Sequence, residues 1–221
     1  MAKNKLQRFS EIRNFQNVIE LGYNDIFNST ISGAWNKDIF LNNNPIVLEL
    51  ACGKGEYTIG LAKKNPNKNY VGIDIKGERI WKGAKEALKM KLDNVRFLRT
   101  RIEHLNFIFA EDEISEIWIT FPDPFLKKSK SNKRLTSLRF LEIYKKLLVK
   151  EGVVHLKTDS QDLYSYTLDV LNHKKYKVLE SFININDIKR SNQDLDIMTY
   201  YEKKFILIGK PITYIKFMLS K

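Results

Sequence analysis

Residues 46–57, IVLELACGKGEY, carry the pattern that decides the fold. An apolar run interrupted only by Glu49 leads into a short loop with Gly53 and Gly55, and a helical stretch begins directly after the loop. Buried parallel strands have near-continuous apolar sequences, and glycines after such a strand let the backbone approach a ligand closely. The stretch therefore predicts a strand, a tight loop and a helix, which form the first half of a β-α-β unit.

Apolar runs and helical stretches continue to alternate along the rest of the chain. The further predicted strands are YVGIDI (70–75), VRFLRT (95–100), EIWITF (116–121), GVVHLKT (152–158), YKVLESF (176–182) and KKFILIG (203–209). The predicted helices cover 55–65, 77–91, 134–150, which Gly152 would end, and 160–172. Repeated β-α-β units predict an α/β fold with a Rossmann-like, doubly wound and mostly parallel sheet.

The length of 221 residues fits one α/β domain. We expect residues 1–40 to form a basic N-terminal arm with a lead-in helix, and residues 41–221 to form a single domain. Residues 1–13 contain few apolar anchors, which predicts a mobile arm. The cations of this arm are Lys3, Lys5, Arg8 and Arg13.

The composition is basic: 38 Lys and Arg stand against 26 Asp and Glu, for a net charge of +12. Such a field favours polyanionic partners such as nucleic acid, although a lysine-rich composition alone would produce the same charge. A local cluster of basic residues would therefore favour a nucleic-acid partner over a mere bias in composition. Residues 127–134, KKSKSNKR, form such a cluster, and we expect them to hold phosphates.

Several classes of protein are excluded by simple features. Cys52 is the single cysteine, so an intramolecular disulfide cannot form, and it reads as a packing residue. The first residues lack the apolar core of a signal peptide, and no apolar run approaches the roughly 20 residues of a membrane span. The three histidines are scattered without metal-ligand spacing. We expect a cytoplasmic protein without a metal or a membrane partner, whose state as monomer or homodimer stays open.

Two acids follow the first two predicted strands of the sheet. Glu49 ends the first, and Asp74, 19 residues after Gly55, ends the second. An acid at the end of the second strand accepts the hydroxyls of a ribose. The dinucleotide motif requires a third glycine where Thr58 stands, and Glu49 would repel a pyrophosphate but suits a cationic amino-acid group. The pattern favours S-adenosylmethionine over a nicotinamide cofactor, and a glycine turn with two solvated acids is the structural alternative.

The turn FPDPF, residues 121–125, follows the strand EIWIT. Ligands of such sheets bind beyond the carboxyl ends of the strands, so this turn is expected at the site. Pro122 and Pro124 lack amide hydrogens and hold the backbone extended, which fixes Asp123 beside the expected methyl donor.

Four motifs occur in an order that is similar to a known family: the FPDP turn, the KK…KRL loop, LKTD (156–159) and TYYEKKF (199–205). From about residue 3 to Gly209 the chain resembles the tRNA (guanine-N7-)-methyltransferases. The resemblance implies a class I methyltransferase fold with an antiparallel C-terminal end. It also implies methyl transfer from S-adenosylmethionine to N7 of a guanine in the variable loop of tRNA.

The resemblance also implies roles for individual residues. Glu49 and Asp74 match the acids that bind the cofactor next to the Gly53 and Gly55 loop, and Asp123 matches the catalytic acid beside the methyl group. Arg101 stands where the family commonly has an acid or amide near the adenine. The residues on the substrate side are Lys127, Asp159, Thr199 and Glu202.

The chain departs from the family pattern at three positions. Phe125 replaces a tryptophan, and Lys130 replaces a histidine that is common in the loop. Arg101 cannot accept the hydrogens of an adenine amino group, so the backbone at residues 101–102 or Glu103 would have to do so.

Other functions stay open. An adenine amino-methyltransferase acting on RNA also has a proline-containing turn after its fourth strand, but with two adjacent prolines. A non-catalytic RNA-binding module could keep the fold. Without the resemblance, Asp159 reads as a helix N-terminal residue and Glu202 as a solvated charge.

Overall fold

The computed structural model describes residues 2–185 and 193–220; Met1, residues 186–192 and Lys221, which belong to the predicted arm and domain, lie outside the described residues. An eight-stranded sheet with the order β1-β4-β3-β2-β5-β6-β8-β7 forms its centre. The strands are β1 (Val18–Glu20), β2 (Ile46–Leu50), β3 (Asn69–Asp74), β4 (Val95–Arg99), β5 (Ile114–Thr120), β6 (Leu148–Thr158), β7 (Lys177–Phe182) and β8 (Thr213–Met218).

Helices cover both faces of the sheet. They are α1 (Ala2–Ile12), α2 (Tyr23–Ile26), α3 (Glu56–Lys64), α4 (Gly77–Lys89), α5 (Leu105–Ile108), α6 (Leu138–Leu147), α7 (Gln161–His173) and α8 (Tyr200–Leu207). A π-helical segment covers Trp35–Phe40, and 3-10 turns cover Ile102–His104, Lys128–Lys133 and Gln193–Asp196. Among the helices in residues 2–185 and 193–220, none combines the length and apolar character needed to cross a membrane.

The sheet is parallel from β1 to β6 and antiparallel at its end, where β8 pairs with β6 and β7. From β2 the chain moves outward through β3 and β4, and then returns to place β5 and β6 on the other side of β2. The direction of winding therefore changes between β2 and β5. In folds of this kind a crevice opens there, beyond the carboxyl ends of the strands. The predicted doubly wound fold with an antiparallel end is confirmed.

Alternation along β2 places its side chains in two cores. Ile46, Leu48 and Leu50 pack on one face of the sheet, and Val47 packs on the other. Every residue of β2 is buried, as expected for a central parallel strand. Glu49 shares the face of Val47, so a carboxyl group lies inside the protein close to the crevice.

One predicted strand is wrong. The stretch KKFILIG (203–209) belongs to helix α8, and the last strand is the unpredicted β8 ten residues further along. A short apolar run cannot be assigned by periodicity alone. The signal that was missed is Thr199, whose hydroxyl accepts a hydrogen bond from the amide of Glu202 at 3.2 Å and caps the helix.

The bounds of another helix also differ from the prediction. The helix predicted over 134–150 covers only Leu138–Leu147, and Gly152 lies inside β6 instead of ending the helix. Ser137 is the residue before the helix, and residues 134–137 are buried in an irregular connection. The periodic leucines of this region extend beyond the helix because the connection packs into the same core.

Residues 2–12 form a helix that packs on the body of the protein, so the prediction of a mobile arm is wrong. Ile12 is fully buried, and Glu11 accepts a hydrogen bond of 2.6 Å from the indole of Trp81 in α4. Gly77 of α4 makes room for Phe9 and Ile12, since a Cβ atom at position 77 would lie 2.8 Å from both of their side chains. Phe9 and Ile12 dock the segment, whereas Leu6 stays 72% exposed.

Candidate active site

Two neighbouring cavities lie at the carboxyl edge of the sheet. The larger has a volume of about 300 Å³, and its lining includes Asp74, Arg101 and Asp123. The smaller has about 70 Å³, and its lining includes Glu49, Gly53 and Thr199. Ala51, directly after β2, lines both cavities. The topology thus brings together residues that are far apart in the sequence.

Asp74 connects the end of β3 to the glycine loop. Its carboxylate accepts hydrogen bonds from the amide of Gly53 at 2.9 Å and from the amide of Lys76 at 2.8 Å. The side chain is buried but lines the larger cavity. A carboxylate offers about four lone-pair positions, so two acceptor positions are left for a ligand. The arrangement therefore suits the hydroxyls of a ribose.

Glu49 is held by two threonines. One carboxylate oxygen accepts hydrogen bonds from the amide and the hydroxyl of Thr58, and the other accepts one of 2.7 Å from the hydroxyl of Thr120. Burial raises the pKa of Glu49 to about 7, although the threonine hydrogen bonds lower it. Thr58, which replaces the third glycine of a dinucleotide motif, thus positions this acid. A cation entering the smaller cavity would stabilise the ionised form.

The raised pKa predicts how stability depends on pH. Between the ordinary value of 4.5 and about 7, the folded protein keeps a proton on Glu49 that the unfolded chain has lost. The contribution of Glu49 to stability is therefore greatest below pH 4.5 and falls as pH rises through this range, by about 1.4 kcal/mol per pH unit. Urea unfolding between pH 5 and 7 should show that the free energy of unfolding of the parent falls with rising pH relative to that of Glu49→Gln. Parallel profiles of the two proteins would contradict the assignment.

Gly53 and Gly55 of the loop are needed for different structural reasons. Both adopt the left-handed conformation, with φ of 57° at Gly53 and 67° at Gly55. A Cβ atom on Gly55 would lie 2.4 Å from the ring of Phe97, so this glycine allows helix and sheet to pack closely. A Cβ atom on Gly53 would meet no atom within 4 Å. The space beside Gly53 is open to a ligand, while Gly55 lines neither cavity.

The FPDPF turn has a strained backbone at both ends. Phe121 and Phe125 have positive φ angles of 48° and 43°, which bulky residues rarely adopt. Arg134 holds the turn in this shape: its guanidinium donates to the carbonyl oxygens of Pro124 and Phe125 at 3.1 Å, and it lies 4.2 Å from the ring centroid of Tyr166. Only 8% of Arg134 is exposed. The prediction that this arginine holds phosphates is therefore wrong, because it is a structural clamp on the turn.

Asp123 projects from this rigid turn. The residue is exposed and lines the larger cavity together with Asp74. Within residues 2–185 and 193–220 its carboxylate makes no hydrogen bond and no ion pair. Its charge is therefore available to a bound molecule. Lys133 lines the same cavity and is the member of the basic loop nearest to this site.

Residues that follow β4 form one side of the larger cavity. Arg101 lines this cavity and also a third one of about 410 Å³, as do Ile75 and Thr100. The Thr100 hydroxyl is buried, and it has no hydrogen-bond partner in the described part of the chain. Leaving a buried hydroxyl unpaired costs roughly 1–3 kcal/mol, so a ligand that bonds to it gains affinity. Ile75 and Ile102 supply apolar surface on which an aromatic ring can lie.

The four residues predicted on the substrate side lie in different surroundings. Thr199 lines the smaller cavity and caps α8. Lys127 is exposed at the start of the basic 3-10 turn. Asp159 follows β6 and forms an ion pair with Lys210; the helix cap at this position is Ser160 instead. Of the four, only Thr199 lines one of the two cavities.

Glu202 is neither solvated nor at a cavity wall. It forms an ion pair of 2.8 Å with Lys157, and the two side chains are 1% and 0% exposed. Lys157 also donates to the carbonyl oxygens of Leu195 and Ile197 at 3.1 and 3.3 Å. This buried lysine of the LKTD motif was missed, although a charge inside the predicted strand 152–158 was a visible signal. The pair ties α8 and the segment before it to the end of β6.

Known proteins identify the group to which the chain is similar. Residues 43–215 match the model of a family described as "Putative methyltransferase". The tRNA (guanine-N(7)-)-methyltransferase of Christiangramia forsetii is 48% identical over 222 residues, with 99% of each chain covered. An enzyme of the same name from Bacteroides fragilis is 45% identical, over 100% of this chain and 88% of its own length.

Solved structures show the same fold at low sequence identity. The 16S rRNA methyltransferase KamB superposes with a TM-score of 0.65 and 14% identity, over 87% of this chain and 96% of its own. A SAM-dependent methyltransferase from Aquifex aeolicus gives a TM-score of 0.56 and 13% identity, over 88% and 97% of the two chains. The resemblance predicted from the FPDP turn and its companion motifs is confirmed, and the chain belongs to the tRNA (guanine-N(7)-)-methyltransferase family.

Proposed function

We propose that this enzyme transfers a methyl group from S-adenosylmethionine to N7 of a guanine in the variable loop of tRNA. The observation that carries the proposal is the pairing of Asp74 and Asp123 at one cavity in a chain that is 48% identical to an enzyme named for this reaction. The names of the relatives do not favour an adenine amino-methyltransferase or a non-catalytic RNA-binding module.

The residues present fit the cofactor. Asp74 would hold the ribose, and the open space at Gly53 would let the cofactor approach the protein backbone closely. Glu49 would face the ammonium group of the cofactor. The unpaired hydroxyl of Thr100 would contact the adenine edge, which compensates for an arginine at position 101. When bound, S-adenosylmethionine would supply a methyl group on a positively charged sulfur, and the leaving group would be S-adenosylhomocysteine, a neutral thioether.

Replacing Asp74 by alanine should weaken binding of S-adenosylhomocysteine by about 10- to 100-fold, because a charged hydrogen bond is worth roughly 1.5–3 kcal/mol. Calorimetry with the purified protein measures this change. The affinity for tRNA should stay within about twofold, since the lost contact lies on the cofactor side. An unchanged dissociation constant for S-adenosylhomocysteine would remove Asp74 from the site.

The site needs no general base for this reaction. N7 of guanine carries an in-plane lone pair and no proton, so forming the N7–methyl bond requires no proton removal. The purine gains a positive charge as the bond forms, and a fixed negative charge nearby stabilises that state. Asp123 provides such a charge, held by a turn that Arg134 and two prolines keep rigid. Asp159 is the candidate acceptor for the Watson–Crick edge of the guanine.

The basic loop should bind tRNA phosphates through its exposed lysines. Replacing Lys127, Lys128 and Lys133 by glutamine should flatten the dependence of log affinity on log salt, by somewhat less than one unit per lost contact. Filter binding at several salt concentrations measures the slope. A matched triple variant at Lys63, Lys89 and Lys91, which are exposed near the opposite edge of the sheet, controls for net charge. Equal slopes for the two variants would mean that the loop is merely solvated.

Nucleoside analysis tests the reaction itself. Purified protein is incubated with unmodified tRNA and a donor carrying a labelled methyl group, and the tRNA is then digested. We expect N7-methylguanosine as the labelled product. A methylated adenosine as the main product would support the alternative enzyme, and the absence of any label would support an RNA-binding module.

A further inference from the structure

Two adjacent tyrosines of α8 stand at the rim of the smaller cavity. Tyr200 and Tyr201 line it together with Glu49 and Thr199, and they are 57% and 50% exposed. Their ring centroids are 5.7 Å apart, and the rings meet edge to face at 75°. Neither phenol oxygen makes a hydrogen bond within residues 2–185 and 193–220. Rings this exposed contribute little to the core, so the fold does not require them.

The backbone beneath these rings is firmly fixed. The amide of Tyr200 donates to the carboxylate of Glu56 at 2.7 Å, and Thr199 caps the helix. Directly after Tyr201, the buried pair of Glu202 and Lys157 anchors α8 to β6. The backbone that carries the two rings is therefore fixed before any partner arrives, which lowers the entropy cost of binding.

Two cations also lie near this rim, which is close to the FPDPF turn. The ammonium of Lys54 lies 5.1 Å from the ring centroid of Tyr200, and Arg79 lines the same cavity. Phe205 of α8 packs against Phe121, the first residue of the turn, with 5.9 Å between ring centroids. Glu49 and Glu56 line the cavity as well, so its lining is not positive as a whole. Exposed aromatic faces with a lysine and an arginine beside them fit a nucleic-acid base and its phosphate better than a protein partner.

We infer that Tyr200 and Tyr201 form the stacking surface that receives the target guanine when it leaves its own stack. This inference rests on the proposed function. Contact through the face of the base leaves the N7 lone pair unobstructed, because that lone pair lies in the plane of the ring. The guanine becomes cationic as N7 is methylated, and the electron-rich face of a tyrosine attracts a cation more strongly than a neutral ring. The stack thus favours the transition state as well as binding.

Alanine and phenylalanine variants test the surface. Tyr200→Ala combined with Tyr201→Ala should lower kcat/KM for tRNA by about 10- to 100-fold, as expected when base stacking on aromatic rings is removed. The matched double phenylalanine variant keeps the faces and should stay within about threefold of the parent. All three proteins are compared at saturating donor, because both tyrosines also line the cavity that would hold the ammonium group of the cofactor. Parental kcat/KM in the alanine variant would overturn the inference.

A tRNA with an abasic nucleotide at the target position separates stacking from phosphate binding. The parent should bind it about tenfold more weakly than intact tRNA, whereas the double alanine variant should bind both equally. The same loss of affinity in parent and alanine variant would overturn the inference. Failure of the proposed function would look different, because the parent would then yield a methylated nucleoside other than N7-methylguanosine.

Discussion

Replacing Asp123 by asparagine is expected to lower the turnover number for tRNA by about a hundredfold or more, as for the loss of one preorganised electrostatic contact. Asparagine keeps the shape of the side chain but removes its charge. That charge is not neutralised within the described residues, since the carboxylate has no hydrogen-bond or ion-pair partner there. It is therefore available to offset the positive charge that develops on guanine.

The measurement is steady-state methyl transfer at saturating donor and tRNA. Asp93→Asn serves as the matched control, because it removes an exposed carboxylate next to the start of β4, at the opposite edge of the sheet. The control should keep parental turnover, and both variants should keep the unfolding midpoint of the parent. Near-parental turnover for Asp123→Asn would leave the FPDPF turn as a structural device only.

Replacing Lys157 by methionine is expected to destabilise the protein by about 3–5 kcal/mol, because it leaves the Glu202 carboxylate buried without its cation. Both members of the pair are almost completely excluded from solvent. This loss is a large part of the stability of about 5–15 kcal/mol that is typical of a domain. Urea unfolding measures it.

A double variant distinguishes the ion pair from simple packing. Lys157→Met combined with Glu202→Leu removes both charges, and exchanging a buried pair for apolar side chains of similar volume is often close to neutral. The double variant should therefore be more stable than either single variant. Single-variant losses that add up in the double variant would show that the charges do not interact, against the 2.8 Å geometry.

The central part of the fold was predictable because β2, β3 and β5 are almost wholly buried and so have distinctive apolar sequences. The C-terminal part was not, because a helix with partly exposed apolar residues resembles a strand. Leu207 is 86% exposed and Ile208 68% exposed, so the run FILI does not mark a buried element. The pairing of β8 with β6 depends on contacts distant in sequence, which a local pattern does not contain.

The acids of the candidate site were predictable, because ligands of such sheets bind where the parallel strands end. Glu49, Asp74 and Asp123 all line the cavities at the carboxyl edge, as expected for acids that end parallel strands. The roles of Lys157 and Arg134 were not predictable in full. The position of Lys157 inside a predicted strand indicates burial, but the residue type alone does not indicate which groups a lysine or an arginine contacts. Their partners come from a distant helix and from backbone carbonyl groups.

The proposed reaction modifies one atom, N7 of guanine, and one substitution in the tRNA tests this most directly. A tRNA in which 7-deazaguanosine replaces the variable-loop guanosine keeps the base pairing and stacking face but has a carbon in place of the nucleophilic nitrogen. With a labelled methyl donor, we expect full incorporation into the guanosine-containing tRNA and none into the deaza tRNA. Equal incorporation into both tRNAs would contradict methyl transfer to N7 at this position.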